Sequence, residues 1–319
     1  MKVAVIDLGT NTCRLFLARV TGDVVRQDTR LTTVVRLGEG VGESGRLLPA
    51  AVARTRTCLR GYASRARAYR PVRRLLIATS VLRTATGGRS FLHEVERESG
   101  FPWRVLAGEE EGALAFRGGT SWLAASPSGA SVRTAPPLLL VDIGGGSTEF
   151  AVGVAGETPT FVRSLEIGVV RLTERFFRTD PPQPEAVTNL AGHVAAAIAA
   201  GVPERLRRAV PAAVGVAGTY TTLVANKLGL TAYDASLVQG HVLSHADIDQ
   251  AVGRLAVLTS AERGRLPGIQ PGREDVILAG ALIAREALRA FGLEAVTVSE
   301  SDLLEGVALA LADGSLPVP

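Results

Sequence analysis

Two segments of the chain, residues 3–12 and residues 138–149, carry the same unusual pattern. Each begins with an apolar run typical of a buried strand, reaches an aspartate (Asp7 or Asp142), and continues into glycines and hydroxyl-bearing side chains. Such a turn lets an anion approach the backbone closely, because glycine has no Cβ and the free N–H groups of the turn point outward. The repeated pattern therefore predicts two phosphate-binding turns.

The residues after each turn restrict the fold further. Residues 13–20 and 150–154 are again strand-like, whereas a dinucleotide-binding or Walker turn would open a helix. Both turns are thus predicted to join the two strands of a hairpin. Asp7 and Asp142 lie 135 residues apart, which indicates two similar α/β halves that face a shared cleft. The alternative, an aspartate that merely caps a turn, explains one such segment more easily than two.

The composition indicates a globular protein of two domains. The chain has 319 residues and 46% hydrophobic content, enough for each half to form its own core. No segment approaches the roughly 18 to 20 apolar residues that cross a bilayer, so we expect a soluble, cytoplasmic protein with no membrane partner. The two cysteines, Cys13 and Cys58, belong to no Cys-x-x-Cys or Cys/His cluster, which argues against a disulfide framework and a zinc site.

The basic residues are almost all arginine. Only Lys2 and Lys227 are lysines among 35 basic residues, and the formal net charge is +4. Two interpretations remain open: GC-rich coding, or guanidinium groups that recognise a polyanion. Aromatic residues make up 5% of the chain and do not alternate with basic ones, so no nucleic-acid partner is expected.

Beyond the hairpins, helices and strands alternate as in α/β proteins. A third strand is predicted at 23–37, and residues 124–137, rich in Ser, Pro and Gly, form the clearest compositional break. We place the domain boundary there, giving domains of residues 1–124 and 125–319, with the C-terminal helix of residues 302–319 packing back on the first domain. Further helices are predicted at 48–69, 90–98, 110–122, 170–177, 184–200, 203–209, 245–258, 273–291 and 302–312, and further strands at 72–79, 103–107, 212–216 and 295–299.

Three adjacent glutamates, Glu109, Glu110 and Glu111, lie between a predicted strand and a predicted helix. One interpretation is a helix N-terminus, where the helix dipole stabilises acidic side chains. The other is that one of the three faces the cleft and acts as a general base on a water molecule. That role requires that burial or a neighbouring anion raise the pKa of the carboxyl group toward neutral pH.

Oxygen-bearing side chains in the turns are candidates for metal and phosphate binding. Asp142 and Glu149 can both reach a Mg²⁺ ion that itself contacts phosphate, and Asp7 can assist from the other hairpin. A solvent-facing strand residue is an equal interpretation of Glu149. A third glycine turn opens a helix and can present N–H groups to phosphate. The candidate phosphate-binding residues are Thr10, Asn11, Thr12, Arg83, Gly144, Gly145, Gly146, Ser147, Thr148, Gly218 and Thr219.

Taken together, six segments resemble the exopolyphosphatase / guanosine pentaphosphate phosphohydrolase family. They are DLGTNT (7–12), ATSVLR (78–83), GEEEG (108–112), DIGGGSTE (142–149), SLEIG (164–168) with VRL (170–172), and GVAGT (215–219). The likeness runs in order from residue 3 to about residue 310. That family is similar in fold to sugar kinases, heat-shock chaperones and actin. The resemblance therefore implies an α/β fold with two ribonuclease H-like, actin-like domains facing a central cleft.

The resemblance also implies an activity. It indicates a Mg²⁺-dependent enzyme that hydrolyses the terminal phosphoanhydride bond of inorganic polyphosphate and releases orthophosphate, although some members of the family prefer guanosine pentaphosphate. It assigns the catalytic base to Glu111, with Glu110 beside it, and the metal and water site to Asp142 and Glu149. A homodimer is expected from the family as well.

The chain departs from the family pattern in two places. Long members carry a further helical region, whereas this chain resembles the short two-domain form, which puts processive action on long polymers in question. Leu304 stands where the family often has an arginine before Glu305 and Gly306. Two other functions fit the same fold. One is an ATP-dependent kinase or ATPase, and a kinase would need an acceptor pocket and an adenosine site. The other is a non-catalytic sensor of polyphosphate or an alarmone, which would bind without turnover.

Overall fold

The computed structural model describes residues 1–124 and 136–319, and it contains two mixed β-sheets. The strands are β1 (Lys2–Leu8), β2 (Thr12–Thr21), β3 (Val24–Val34), β4 (Arg73–Ala78), β5 (Trp103–Val105), β6 (Leu138–Ile143), β7 (Thr148–Gly153), β8 (Phe161–Leu165), β9 (Ala212–Val216), β10 (Val242–Ser244) and β11 (Ala295–Val298). The helices are α1 (Val41–Ser44), α2 (Pro49–Tyr69), α3 (Ser80–Thr84), α4 (Gly88–Ser99), α5 (Gly108–Ser121), α6 (Val169–Phe176), α7 (Pro184–Gly201), α8 (Glu204–Ala209), α9 (Ala217–Lys227), α10 (Ala235–Val238), α11 (His245–Ala256), α12 (Ser260–Arg263), α13 (Ile277–Phe291) and α14 (Leu303–Asp313).

The two sheets have the same strand order. The first runs β3-β2-β1-β4-β5, and the second runs β8-β7-β6-β9-β11, with the short β10 added at its edge. In each sheet an antiparallel hairpin, β1/β2 or β6/β7, carries the loop, and its first strand also pairs in parallel with β4 or β9. The repeated topology confirms the predicted duplication and the actin-like α/β fold.

Helices cover the outer face of each sheet. Helices α2 and α4 bury Leu59 and Phe91 against the first sheet, and α7 and α13 bury Leu190 and Leu282 against the second. The strands β1 and β6 are continuous apolar runs because both of their faces are covered, which is typical of the central strands of α/β sheets. The carboxyl ends of β1 and β6, where the two loops begin, are thereby held rigidly.

Between the two sheets, each half packs one helix on the sheet of the other half. Helix α5 packs on the second sheet, helix α14 packs on the first, and the two helices pack against each other. They cross at two glycines: a Cβ on Gly118 would lie 1.9 Å from the carbonyl oxygen of Asp302, and a Cβ on Gly306 would lie 1.9 Å from that of Leu114. The two backbones are therefore in direct contact, and one hydrophobic core joins both sheets through this helix pair.

The helix crossing gives a prediction for Gly118. We expect Gly118→Ala to lower the free energy of unfolding by about 1 to 3 kcal/mol, because the added methyl group must displace backbone atoms on helix α14. Gly192 lies in the exposed face of α7 with open space around its Cβ position, so Gly192→Ala is expected to stabilise the protein by about 0.5 to 1 kcal/mol. Urea unfolding of both variants measures the difference, and equal effects would contradict the close crossing.

Some predicted boundaries differ from the structure. The third strand ends at Val34 rather than residue 37, because the N–H groups of Val35 and Arg36 both donate to the carbonyl oxygen of Asn11. The chain thus leaves the sheet to wrap the first loop. Strands β8 and β10 were not predicted, since both are short and only partly buried. The predicted domain boundary falls mostly on residues 125–135, outside the described residues, and stays a prediction.

Across the described residues, no helix combines the length and the apolar character needed to cross a membrane.

Candidate active site

The two hairpin loops have the same local geometry. In loop 1 (residues 9–12) the N–H of Gly9 donates to the carbonyl oxygen of Thr12 at 2.9 Å, and in loop 2 (residues 144–147) the N–H of Gly144 donates to that of Ser147 at 3.0 Å. Each bond closes a tight turn at the carboxyl end of a buried strand. Turns of this kind leave other N–H groups available to bind an anion.

The two loops touch each other across the cleft. A Cβ on Gly145 would lie 2.9 Å from the Cβ of Thr10, and a Cβ on Gly146 would lie 2.5 Å from Oγ of Ser80 and 2.7 Å from Oγ1 of Thr10. Such distances are too short for any side chain. Glycines at these positions are therefore what allows the two halves to bring their loops to one point.

A cavity of about 390 Å³ lies between the loops and the two halves. It brings together most of the predicted site residues. Those that line it are Asp7, Thr10, Asn11, Thr12, Glu111, Asp142, Gly144, Gly145, Gly146, Ser147, Gly218 and Thr219. The predicted residues Arg83, Glu110, Thr148 and Glu149 do not line it. The assignments of individual roles within the cavity remain proposals.

Arg83 contacts Glu111, and the other three residues outside the lining have contacts of their own. Glu110 lies at the start of α5 and pairs with Arg104 at 2.7 Å. Thr148 is buried and its hydroxyl donates to the carbonyl oxygen of Ile167 at 2.7 Å. Glu149 is buried behind loop 2, and the hydroxyl of Ser164 donates to it at 2.7 Å.

Strand register gives the aspartates of the two hairpins different partners. Asp7 lies opposite Arg14 in the first hairpin, whereas Asp142 lies opposite Glu149 in the second. Arg14 donates to Oδ2 of Asp7 through Nε at 2.8 Å, so the first hairpin contains its own cation. The second hairpin places two carboxylates side by side instead. The second hairpin thus lacks the internal cation that the first contains.

Arg14 also joins the first half to the second. Its guanidinium pairs with Asp302, the N-cap residue of α14, and Asp302 in turn lies 3.4 Å from Arg30. Arg30 pairs with Glu305 on the same helix turn. Although burial alone would raise the pKa of Asp302, Arg14 and Arg30 hold that pKa below its usual range. The carboxyl group of Asp302 is therefore ionised at neutral pH.

Glu111 is a buried carboxylate with one strong partner. It lies in the first turn of α5, and its Oε2 accepts from Nη1 of Arg83 at 2.6 Å, while the same nitrogen donates to the carbonyl oxygen of Leu106 at 2.9 Å. Burial raises the pKa of Glu111 to about 7, although Arg83 opposes the shift. A carboxylate with that pKa can accept a proton near neutral pH.

Asp142 and Glu149 are buried without a direct cationic partner among the described residues. Burial, followed by the charges of Asp302 and Glu111, raises the pKa of Asp142 to about 8. Burial also raises the pKa of Glu149, and nearby Glu111 and Asp142 add to the effect. The carboxyl groups where loop 2 begins therefore resist ionisation, and a bound cation would favour their charged form.

The third glycine turn lies on the same cavity. Gly218 and Thr219 are at the start of α9, and a Cβ on Gly218 would overlap the guanidinium of Arg273, so this arginine lies directly against the turn. Tyr233 and Glu300 line the cavity as well, and the hydroxyl of Tyr233 donates a hydrogen bond to the carboxylate of Glu300. This part of the wall can contact the remainder of a long anionic substrate.

Sequence reasoning did not find several cavity residues, among them Arg14, Arg30, Ser80, Arg273 and Asp302. Three of them had a readable signal. Arg14 follows loop 1 at the position that hairpin pairing sets opposite Asp7, and Asp302 begins the Asp-x-x-Glu pattern of a capping box. Ser80 lies in the ATSVLR segment of the family resemblance, whereas Arg30 and Arg273 reach the cavity only through tertiary packing.

The described residues do not form a metal site made of protein ligands alone. Within residues 1–124 and 136–319, no three carboxylate, histidine or cysteine side chains converge closely enough to hold a metal ion. The donor atoms that do line the cavity are oxygens, including the Asp142 carboxylate and Oδ1 of Asp7, which is buried with no hydrogen-bond partner among the described residues. Such a hard donor set fits Mg²⁺, which usually keeps one or two carboxylates and takes its other ligands from water and phosphate.

The fold and the site define a class of actin-like α/β proteins in which two glycine loops face each other across a cleft. A model of the Ppx/GppA phosphatase family matches residues 19–314. The chain belongs to this family, and it is a phosphoanhydride hydrolase.

Similar proteins cover almost the whole chain. "Exopolyphosphatase 2" of Mycobacterium tuberculosis is 37% identical over 327 residues, covering 98% of this chain and 98% of its own length. The crystal structure of the Aquifex aeolicus Ppx/GppA family member is 31% identical with a TM-score of 0.79, covering 99% of this chain and 98% of that one. An exopolyphosphatase structure from Cytophaga hutchinsonii is 25% identical with a TM-score of 0.85, covering 98% of each chain.

Proposed function

We propose that this protein is a Mg²⁺-dependent exopolyphosphatase that removes the terminal phosphate of inorganic polyphosphate with Glu111 as the base. The observation that supports it most directly is the joint lining of one cavity by two phosphate-binding loops and by Glu111, a buried carboxylate whose pKa is raised to about 7. Because similar proteins are named exopolyphosphatases, polyphosphate is the first candidate substrate.

The loops would hold the terminal phosphate. Thr10 and Asn11 of loop 1 and Ser147 of loop 2 line the cavity from opposite halves. Their N–H groups, hydroxyls and side-chain amide would hold a phosphate without any covalent bond to the protein. Phosphoryl transfer depends mainly on positioning and on neutralising charge, because the transition state is loose and its charge lies on the phosphate oxygens.

Glu111 would accept a proton from the attacking water. Arg83 fixes one carboxylate oxygen of Glu111, which orients the side chain, and Glu111 lines the cavity where the attacking water would lie. Glu110 is the weaker candidate for this role, because its carboxylate pairs with Arg104 outside the cavity lining.

Mg²⁺ would be held by Asp142, with substrate oxygens and water completing its coordination. Asp7 lies on the opposite loop with one oxygen bound to Arg14 and the other unpaired among the described residues, so it is placed to bind a water of the ion. When bound, the ion supplies neutralisation of the charge on the phosphate oxygens. Glu149 would act behind Asp142, since Ser164 fixes its carboxylate outside the cavity lining.

Guanosine pentaphosphate is a second candidate substrate. Tyr233, Gln270 and Arg273 line the same cavity, and an aromatic ring with amide and guanidinium groups can contact a nucleoside. The nucleotide would place its terminal 5′ phosphate at the loops, as the polymer does. One cavity therefore accommodates both substrates by the same chemistry.

Phosphate release from a panel of substrates tests the proposed function. Purified protein with Mg²⁺ is assayed on long polyphosphate, short polyphosphate, guanosine pentaphosphate and ATP, with no acceptor present. We expect the fastest release from polyphosphate. Release from guanosine pentaphosphate alone would select the second candidate, ADP formation that needs an acceptor would indicate a kinase, and binding without release from any substrate would indicate a sensor.

Mg²⁺ is expected to stabilise the protein through Asp142. A cation beside the buried carboxylates removes their mutual repulsion, and an ion at 100 times its Kd stabilises the fold by about 2.7 kcal/mol. The melting temperature of the wild type should therefore rise on addition of Mg²⁺, and that of Asp142→Asn should not. Asp23→Asn, at an exposed turn, is the control. An undiminished shift in Asp142→Asn would place the ion elsewhere.

The pH dependence of kcat/KM reports on Glu111. Because the base must be deprotonated, kcat/KM is expected to rise with pH through a midpoint near the pKa of Glu111, about 7. Arg83 stabilises the charged form, so Arg83→Gln should move this midpoint to higher pH. A profile with the same midpoint in both proteins would show that another group titrates.

We further propose a cytoplasmic location and a homodimer, as for the family. Light scattering of the purified protein measures its molar mass in solution, and a monomeric mass at micromolar concentration would contradict the homodimer.

A further inference from the structure

The two cysteines of the chain lie against each other in the first half of the molecule. Cys13 is in strand β2, and Cys58 is in helix α2, which covers that face of the first sheet. Cys13 is fully buried, whereas Cys58 is half-buried and packs against the same hydrophobic cluster. Both are free thiols, and they are within hydrogen-bonding reach of each other. The fold thus pairs two thiols that no local sequence pattern joins.

Two hydroxyl groups surround the pair. Thr33 lies opposite Cys13 in the register of β2 and β3, and Tyr62 follows Cys58 by one helical turn, so that the two helix residues face the same side. The hydroxyl of Tyr62 lies 2.7 Å from Oγ1 of Thr33 and 3.4 Å from the carbonyl oxygen of Cys13. The thiol of Cys58 reaches both hydroxyls. The packing of α2 on the sheet therefore sets the position of Cys58 against Cys13.

The two thiols differ in acidity. The hydrogen bond from Cys13 lowers the pKa of Cys58 to about 7, and the two hydroxyls act in the same direction, although burial opposes them. Donating that hydrogen bond raises the pKa of Cys13, and burial raises it further. Because the thiolate is the form that reacts with oxidants, Cys58 is the reactive partner and Cys13 the protonated one.

Buried cysteines usually serve as small hydrophobic side chains, and Cys13 alone fits that description. Cys58 differs, because its thiol has both access to solvent and polar neighbours that stabilise the thiolate. A cysteine that is accessible, acidic and next to a second thiol has the three properties of a redox-sensitive site.

We propose that Cys58 is a peroxide-sensitive modification site and that Cys13 converts its oxidised form into a reversible disulfide. The oxidant is hydrogen peroxide. The Cys58 thiolate attacks one peroxide oxygen, the O–O bond breaks with its electron pair left on a departing hydroxide, and Cys58 becomes a sulfenic acid. The sulfur of Cys13 then attacks the sulfur of Cys58, and the S–O bond breaks. The hydroxide released takes the thiol proton of Cys13, so that the products are water and the Cys13–Cys58 disulfide.

The disulfide would act on loop 1. Cys13 directly follows this loop and pairs with Leu8, the residue that precedes it. Two sulfurs in a disulfide lie about 2.05 Å apart, which is closer than two hydrogen-bonded thiols, so the base of loop 1 must move toward helix α2. Oxidation is therefore expected to displace loop 1 and to slow phosphoanhydride hydrolysis, whichever phosphoanhydride is the substrate.

Peptide mapping after peroxide treatment tests the modification site. The purified protein is treated with hydrogen peroxide, its remaining thiols are alkylated, and it is digested without reductant. We expect a cross-linked peptide that contains Cys13 and Cys58 and that dithiothreitol separates. In Cys13→Ala, Cys58 should stop at the sulfenic acid, which dimedone traps. In Cys58→Ala, Cys13 should remain a free thiol.

Three results of the peptide map would overturn the proposal. The first is two unmodified thiols in the treated wild type. The second is a Cys58 that is oxidised to the sulfinic acid with no cross-link. The third is a cross-link between two copies of the chain, which would show that Cys13 is not the partner.

Phosphate release before and after oxidation tests the effect on loop 1. We expect the cross-linked wild type to lose activity by about 10- to 100-fold, because a shift of about 1 Å in a positioning group can cost that much. Dithiothreitol should restore the activity. Cys58→Ala should match the untreated wild type with and without peroxide, and it keeps Met1, the only other sulfur in the chain. Loss of activity in treated Cys58→Ala would place the sensitive group elsewhere, and full activity of the cross-linked wild type would contradict the effect on loop 1.

The test does not depend on the proposed substrate. If the wild type releases phosphate from no substrate, the proposed function fails separately, and the peptide map still decides the modification site. Hydrogen exchange of residues 9–12 then decides the effect on loop 1. We expect faster or slower exchange in the cross-linked protein than in the reduced one, and equal exchange would overturn that effect.

Discussion

Replacing Glu111 by glutamine is expected to lower kcat on polyphosphate by about 100- to 10,000-fold, the range that removal of a general base produces. The amide preserves the volume of the side chain and can still contact Arg83, but it cannot accept a proton from water. Binding of polyphosphate should be retained, because the two loops are unchanged. Stopped assays of phosphate release give kcat, and fluorescence anisotropy with labelled polyphosphate gives the affinity.

The neighbouring glutamate provides the matched control. Glu110 is one residue away in the same helix turn and loses the same charge in Glu110→Gln, but it pairs with Arg104 outside the cavity lining. We expect less than about a threefold change in its kcat, since a half-exposed ion pair contributes little. A larger loss in Glu110→Gln than in Glu111→Gln would transfer the role of base to Glu110.

Arg14→Met is expected to reduce the free energy of unfolding by about 3 to 5 kcal/mol, the effect of removing one partner from a buried ion-pair network. Arg14 is the shared cation of Asp7 and Asp302, whose side chains are 6% and 4% exposed. Methionine fills similar space but leaves Asp7 without a cation and Asp302 with Arg30 alone. Urea unfolding followed by circular dichroism measures the loss, and the slope of the transition checks that the unfolded states are comparable.

Arg19 offers the control for Arg14. It lies in the same strand and pairs with an aspartate, Asp28, but its side chain is 55% exposed. Arg19→Met should therefore change the free energy of unfolding only slightly. If Arg14→Met were as mild, the contacts of Arg14 with Asp7 and Asp302 would contribute little in solution, and the connection between the halves would depend on apolar packing and the other polar contacts.

Much of the fold could be predicted because the duplicated hairpin is local in sequence. Each apolar strand, its aspartate and its glycine turn lie within twelve residues, and helices such as α2 and α13 extend over many turns of consistent periodicity. The short strand β8 could not be predicted in this way, because its partly exposed residues alternate weakly. Its position is fixed by pairing with β7.

The candidate site was predictable only where residues lie close in sequence. Loop residues such as Thr10 and Ser147 follow directly from the pattern, and Glu111 was found through the resemblance. The contact of Arg14 with Asp302 joins residues 288 apart, and no local pattern indicates it. The orientation of Glu149 toward Ser164 is likewise decided by the pairing of β7 with β8 rather than by the loop sequence.

The exchange of inner helices also determines when this protein can fold. Residues of the first sheet, such as Val5 and Phe16, share their core with Val307 and Leu311 of helix α14. During synthesis on the ribosome, these early strands therefore lack this cover until helix α14 has emerged. Until then the nascent chain exposes apolar surface of the first sheet, which favours aggregation.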